Sequence, residues 1–185
     1  LREKLDSYME AYVDYQNLQG SVLVAKDDEI LLNKGYGYSN KEQFIKNKPQ
    51  TKFAIGSITK QFVATGIVQL EEEGSLNFED KLSKYVEGFK DGDKITLHNL
   101  LTHSSGLVNV TNLPNFYSLE GKGPEEAVEL AKGVDLSFKP GEAFEYNNTN
   151  YILLGMILEQ VSGLSLEEYF HKNFFEPVGM KDTGI

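Results

Sequence analysis

A chain of 185 residues, 40% hydrophobic and 25% charged, is one domain or most of one and is long enough to bury a real core. Its formal charge of −10, pI near 4.8 and lack of any basic stripe argue against nucleic acid and against an anionic lipid surface as partners. The absence of cysteine excludes disulfides, thiol catalysis and Cys-based metal sites.

The three histidines, His98, His103 and His171, stand at no ligand-pair spacing, so no metal and no cofactor is expected. No run of about 18 apolar residues exists to span a membrane. The chain opens at Leu1 rather than Met, which suggests trimming, so a signal peptide or anchor could have been removed.

In residues 1 to 17, Leu5, Tyr8, Met9, Tyr12 and Val13 make an apolar stripe on a polar segment, which predicts a packing helix. The runs 20–25 and 29–36, rich in Val, Leu and Ile and flanking Asp27-Asp28, predict an antiparallel hairpin. Residues 39–50 are polar and lysine-rich and predict a solvated loop.

The chain then passes through Phe53-Ala54-Ile55-Gly56-Ser57-Ile58-Thr59-Lys60-Gln61-Phe62, a short extended stretch leading into an apolar helix. Ile58, Phe62, Val63, Ile67, Val68 and Leu70 recur at helical spacing, which predicts a largely buried helix with Ser57 in its first turn. There the free backbone N–H groups and the positive end of the helix dipole favour a developing oxyanion, so Ser57 is the candidate nucleophile. Lys60, three residues on, shares the helix face and can reach the Ser57 hydroxyl. A lysine set against an apolar core loses hydration, which favours its neutral, basic form. Ser-x-x-Lys alone is a weak signal. With 12 serines and 17 lysines in 185 residues, about one such pair arises by chance, and an N-cap serine beside a surface lysine is the plain alternative.

Further on, Gly74 marks a C-cap after Glu71-Glu72-Glu73, and residues 77–82 predict a turn or short helix. Thr96 is placed as the N-cap of a helix carrying Leu97, Leu100 and Leu101, which gives way to the loop His103-Ser104-Ser105-Gly106-Leu107. Residues 108–123 read as loop, in which Phe116 and Tyr117 either line a pocket or pack on the surface. A short amphipathic helix over 124–132 opens on proline. Pro140-Gly141 signals a turn, and Asn147 to Asn150 offer caps for an apolar helix over 151–161. Tyr146 and Asn148 thus fall in a tight turn before a buried helix, a placement suited to side chains aimed into a cleft. Ser165 caps a last helix through Phe174.

Ser57-Ile58-Thr59-Lys60 and Tyr146-Asn147-Asn148 together resemble the first two of three signature elements of the serine β-lactamase and penicillin-binding protein superfamily, in the form of its class C β-lactamase and DD-peptidase-like branch. A sister branch carries Ser-Asp-Asn in place of Tyr-x-Asn. Neighbouring segments are similar to the same family and keep its order from about residue 20 to the end: Leu100 to Leu107, Pro140-Gly141 with Phe144-Glu145-Tyr146, Tyr151 to Gly155, and Pro177-Val178-Gly179-Met180 with Lys181-Asp182-Thr183. The third element, Lys-Thr-Gly or His-x-Gly on a strand beside the nucleophile, is absent, and Lys181-Asp182-Thr183-Gly184 has the wrong spacing and place for it. The resemblance therefore covers the N-terminal portion of the domain, and a truncated, cleaved or partial chain is expected.

That resemblance implies an α+β fold of the β-lactamase/transpeptidase type: an antiparallel sheet flanked by helices plus a helical region, here lacking the C-terminal strands, with the site where the two meet. Residues 1–55 would supply the first helix and sheet strands, and residues 56–185 the helical region. An exposed edge of the hairpin would need the remainder of the chain or a second protomer. The implied chemistry is acyl transfer through a covalent acyl-serine. Ser57 would attack a carbonyl, Lys60 and Tyr146 would share the proton transfers, and Asn148 would bind the substrate amide. The substrate would be a β-lactam, a D-amino acid peptide or an ester, met outside the cytoplasm.

The alternative is a non-turnover penicillin-binding or peptidoglycan-sensing module, or an inactive fragment that keeps the fold. The fragment is expected to be inactive alone, which steady-state hydrolysis by the isolated chain would refute. A triad of His103 with Ser104 or Ser105 is a weaker enzymatic reading, because adjacent residues cannot easily make the required hydrogen bond and no Gly-x-Ser-x-Gly elbow is present.

Overall fold

The computed structural model describes residues 1–119 and 121–185, leaving one position of the expected 108–123 loop outside the described residues. The chain forms two compact units, Leu1–Ala54 and Ile55–Ile185. The first opens with helix α1 (Arg2–Gln16), followed by strands β1 (Gly20–Lys26) and β2 (Glu29–Tyr36), paired antiparallel from Gly20 opposite Tyr36 to Lys26 opposite Glu29. Asp27 and Asp28 both take left-handed backbone, φ 50° and 63°, the conformation that a two-residue hairpin turn of matching twist demands.

Polar side chains hold α1 to β2. Lys34 reaches Asp6 and Glu10, each at 2.8 Å, and the Tyr36 hydroxyl donates to Asp6 at 2.8 Å. Burial, and after it the Asp6 carboxylate, pushes the Tyr36 phenol up to about 12. The helix packs only in part: Leu5, Met9 and Val13 of its stripe are half-buried, while Tyr8 and Tyr12 lie exposed. A two-stranded ribbon offers too little apolar face to cover the stripe.

The expected solvated loop is also more ordered than its composition suggests. Strands β3 (Tyr38–Asn40) and β4 (Ile45–Lys46) pair within it, Phe44 lies edge-on to Tyr38 at 6.3 Å, and buried Asn47 donates to the Tyr36 carbonyl at 2.9 Å.

The second unit is helical. Gly56–Ile58 forms a 3₁₀ turn that leads into helix α2 (Thr59–Glu72), then come α3 (Leu97–Leu101), α4 (Pro124–Lys132), α5 (Asn148–Ser162) and α6 (Leu166–Phe170). Helix α2 stops where Gly74, φ 73°, lets its own N–H and that of Ser75 return to Glu71 and Leu70, each at 2.9 Å. Thr96 caps α3 in a capping box with Asn99, and Ser165 caps α6 in another with Glu168.

The end of the last helix departs from expectation. After Phe170 the last helix widens into a π-helical turn over His171–Phe175. Its extra residue per turn lets Phe170, Phe174 and Phe175 all reach Phe62 of α2, with ring centroids 5.8, 6.0 and 5.4 Å away.

The core of this unit is built on α2 and α5. Ile67, Leu153, Leu154, Ile157 and Leu158 are wholly buried, together with Leu82, Ile95, Leu97 and Leu100, each contributing about 1.5–3 kcal/mol of apolar burial. Helix α2 and the turn before it are less buried than their composition predicts, because Ile58 of the 3₁₀ turn is exposed and so is Val68 on the outer side of the helix. Its inner face carries Val63, Gly66, Ile67 and Leu70. Gly66 is where the two long helices close on each other: a Cβ there would run into the buried side chain of Leu158 and lie 3.2 Å from the Tyr169 ring. Replacing Gly66 by valine is therefore expected to lower stability by about 1–3 kcal/mol through overpacking, read as a lower urea midpoint at unchanged slope.

Candidate active site

Four side chains meet at the start of α2 and the start of α5. Gly56 takes φ 53°, which an L side chain adopts only under strain, and this bend presents Ser57 on the exposed side of the 3₁₀ turn. Ser57 thus lies one turn ahead of the regular α-helix rather than within it. Lys60, one turn on, brings its Nζ to 3.3 Å from Ser57 Oγ. The Tyr146 hydroxyl reaches the same oxygen from across the fold and donates to it at 2.7 Å. Lys60 also donates to Asn148 Oδ1 at 2.8 Å, closing a chain of four side chains from two sequence-distant segments.

Tyr146 and Asn148 are not held alike. Asn147, between them, is buried and acts as the N-cap of α5, its side chain accepting from Thr149 N–H at 2.8 Å while its amide donates to the Leu107 carbonyl. Asn148 is therefore the first residue of the helix and not part of the turn before it. Its Nδ2 donates to Thr111 Oγ1 at 3.2 Å and its backbone N–H to Asn109 Oδ1 at 3.3 Å. Thr149 binds the same segment, donating to the Val108 carbonyl at 2.7 Å and accepting from Val110 N–H at 2.9 Å. These bonds fix the orientation of Asn148, so its Oδ1 is left for Lys60.

The electrostatics favour an ionisable phenol. Lys60 Nζ lies 4.9 Å from the centroid of the Tyr146 ring and 5.7 Å from that of Tyr151. The Lys60 ammonium, and after it the Ser57 hydroxyl, holds the Tyr146 phenol below its ordinary value, because both stabilise a phenolate. Tyr151, more deeply set, is pushed the other way, by burial first and by Tyr146 second.

A cavity of about 450 Å³ opens beside Ser57 and Lys60 and runs between α2 and α5 past Val63, Ile152, Gly155 and Met156. A neighbouring cavity of about 510 Å³ takes in Phe116 and Tyr117, the pair whose role the sequence left open between pocket and surface, and shares Pro124 and Ile152 with the first. Among the described residues no cluster of His, Asp or Glu could hold a metal ion.

The site brings together all four residues singled out from sequence. Sequence reasoning missed Asn109 and Thr111, which lie in the stretch read simply as loop and whose only signal was the Asx-type pattern Asn-x-Thr. The serines beside His103 do not form a triad: Ser105 is buried and donates to Asn150 Oδ1 at 2.7 Å, Ser104 bonds Asn99 and Thr102, and the His103 ring accepts from the Asn147 backbone instead.

The sequence profile of the Beta-lactamase family matches residues 4–185. PbpX of Bacillus subtilis (strain 168) is 35% identical over 186 residues, covering 99% of this chain and 44% of the relative. The solved structure of an octameric penicillin-binding protein homologue from Pyrococcus abyssi superposes with a TM-score of 0.82 at 38% identity, covering 97% of this chain and 43% of that one. A D-stereospecific amidohydrolase from Streptomyces sp. matches at TM-score 0.63 and 32% identity, over 70% of this chain and 43% of its own. The chain spans less than half the length of these relatives.

Replacing Lys60 by methionine is expected to raise the Tyr146 titration midpoint toward that of a free phenol near ~10, measured from the ring-carbon NMR signal of labelled tyrosine.

Proposed function

The chain belongs to the Beta-lactamase family, and from that premise we propose that it is a serine hydrolase or acyltransferase of the penicillin-recognising type, working through a covalent acyl-serine. The observation that carries this reading is the convergence of Tyr146 and Lys60 on the one exposed hydroxyl of Ser57, at 2.7 and 3.3 Å. Ser57 is the nucleophile and Tyr146 and Lys60 are its proton carriers. With the phenol ionised beside the ammonium, the Ser57 hydroxyl gives its proton to Tyr146 as Oγ forms a bond to the substrate carbonyl. The carbonyl oxygen becomes the oxyanion of a tetrahedral intermediate, held by the Ser57 N–H at the head of the 3₁₀ turn. Collapse expels the leaving nitrogen or oxygen, which takes the proton back from Tyr146. Water then repeats the sequence in reverse and frees the acid.

Asn148 serves as the substrate-amide ligand in this scheme. Its own anchors, Asn109 and Thr111, keep it from rotating away. The groove past Val63, Ile152 and Met156 supports an acyl group with an apolar side chain, so an ester, an amide of a D-amino acid or a β-lactam of that kind is the favoured substrate class. On this proposal the substrate is met outside the cytoplasm.

Intact-mass spectrometry after incubation with a fluorescent penicillin and, separately, a reactive serine ester tests the reading. A single adduct is expected, absent from Ser57→Ala and formed about 10²–10⁴-fold more slowly in Tyr146→Phe. Decay of the adduct over time marks a hydrolase and its persistence a non-turnover binder. An adduct that survives in Ser57→Ala sinks the assignment of the nucleophile.

A further inference from the structure

We infer that His103 is a positioning residue: it fixes the Tyr146 phenol against Ser57 by gripping the peptide N–H groups on either side of it, and it does so only as the neutral imidazole. The inference rests on the proposed role of Tyr146 as the partner of Ser57, but its geometry stands on other atoms.

His103 follows α3 and is held at φ 57°, a left-handed backbone that a non-glycine residue adopts only when its surroundings hold it there. That conformation turns its carbonyl and its ring toward the same segment. The carbonyl accepts from Glu145 N–H at 2.9 Å, and Nδ1 accepts from Asn147 N–H at 3.1 Å. Tyr146 is the residue between those two donors. The imidazole also lies against the Tyr146 ring, with centroids 4.7 Å apart at 40°, and is backed by Tyr151 at 5.1 Å and by the edge of Phe144 at 5.9 Å. One residue thus holds the backbone before Tyr146, the backbone after it and one face of its ring.

The protonation state follows from the donor. A peptide N–H can only donate, so Nδ1 must carry a lone pair and the ring proton sits on Nε2. A second proton at Nδ1 would set two donors face to face and break the grip on Asn147. It would also add a cation near Lys60. Among the described residues, the titratable groups around the ring are Tyr146 from the preceding segment and Tyr151 from α5, both in ring contact with it, and Lys60 from α2, whose charge it feels, with no carboxylate to favour the imidazolium. Burial, and after it the Lys60 charge, holds His103 below its ordinary value, so it is neutral at pH 7 and gains its charge only in acid. The consequence is an acid limb in the chemistry of Ser57 set by a histidine that never touches the substrate.

Two variants separate this role from simple support of the fold. Asparagine tolerates left-handed backbone and places Oδ1 close to where Nδ1 stood, but does not titrate. Glycine also accepts the backbone while removing both acceptor and ring. The titration midpoint and chemical shift of the Tyr146 ring carbon, identified by its loss in Tyr146→Phe, should stay near wild type in His103→Asn and move toward the free phenol in His103→Gly. The saturating rate of Ser57 acylation by the reactive ester should fall at least about tenfold in His103→Gly with half-saturation unchanged. In His103→Asn it should stay within about threefold of wild type at pH 7 and lose the acid limb.

An unmoved Tyr146 signal in His103→Gly, or an acid limb retained in His103→Asn, overturns the inference. Failure of the functional reading looks different. Wild type would then form no Ser57 adduct at any pH, and the NMR arm alone would still decide whether His103 positions Tyr146.

Discussion

The hydrogen bond from the Lys60 ammonium to Asn148 Oδ1 is the contact on which the rest of the site depends. It joins residues 88 apart in sequence and links the lysine of α2 directly to the first residue of α5. A bond from an ion to a neutral amide is about twice as strong as one between neutral groups, and it costs less desolvation than an ion pair would in a half-buried place. An asparagine there has a further merit. It anchors the ammonium without fixing a negative charge beside the Tyr146 phenol, whose ionisation the Lys60 charge favours.

That bond is possible only because the helices come close enough, and the approach is set far from the polar atoms. Gly66 removes a side chain from the contact line, Leu158 fills the space, and the rings of Phe62, Phe170, Phe174 and Phe175 close the other side. Around the head of α5, the buried side chains of Ser105, Asn147 and Thr149 are tied to the backbone or to Asn150 Oδ1. Buried polar groups of this kind specify one arrangement, because any slip leaves a donor or acceptor unpaired in a dry interior. The apolar contacts hold the helices together and the polar ones decide their register.

The sequence announced what is local. Ser57 and Lys60 are one helical turn apart, Tyr146 and Asn148 flank a cap, and Thr96 and Ser165 read as N-caps, which the structure shows them to be. A recognisable pattern of motifs then supplied the α+β family fold. What the sequence withheld is non-local or depends on shape. The π-helical turn after Phe170 follows from three rings seeking one partner on another helix, which no window of the chain contains. The exposure of Tyr8, Tyr12, Ile58 and Val68 could not be read from spacing, because periodicity says which residues share a face and not whether anything covers it. His103 reads as an ordinary loop residue until its acceptor atoms are seen to straddle Tyr146, 43 residues on by the numbering.

The separation of the two halves of the site has a consequence for how the protein is made. Synthesis delivers the serine and its lysine long before the tyrosine and the asparagine, and closing a loop of this length carries its full entropic cost before any contact repays it. During that interval the serine is an ordinary hydroxyl with no partner to take its proton. The proposed reactivity of Ser57 would thus be withheld from the growing or unfolded chain by topology alone, and would arise only in a molecule whose helical unit has already closed.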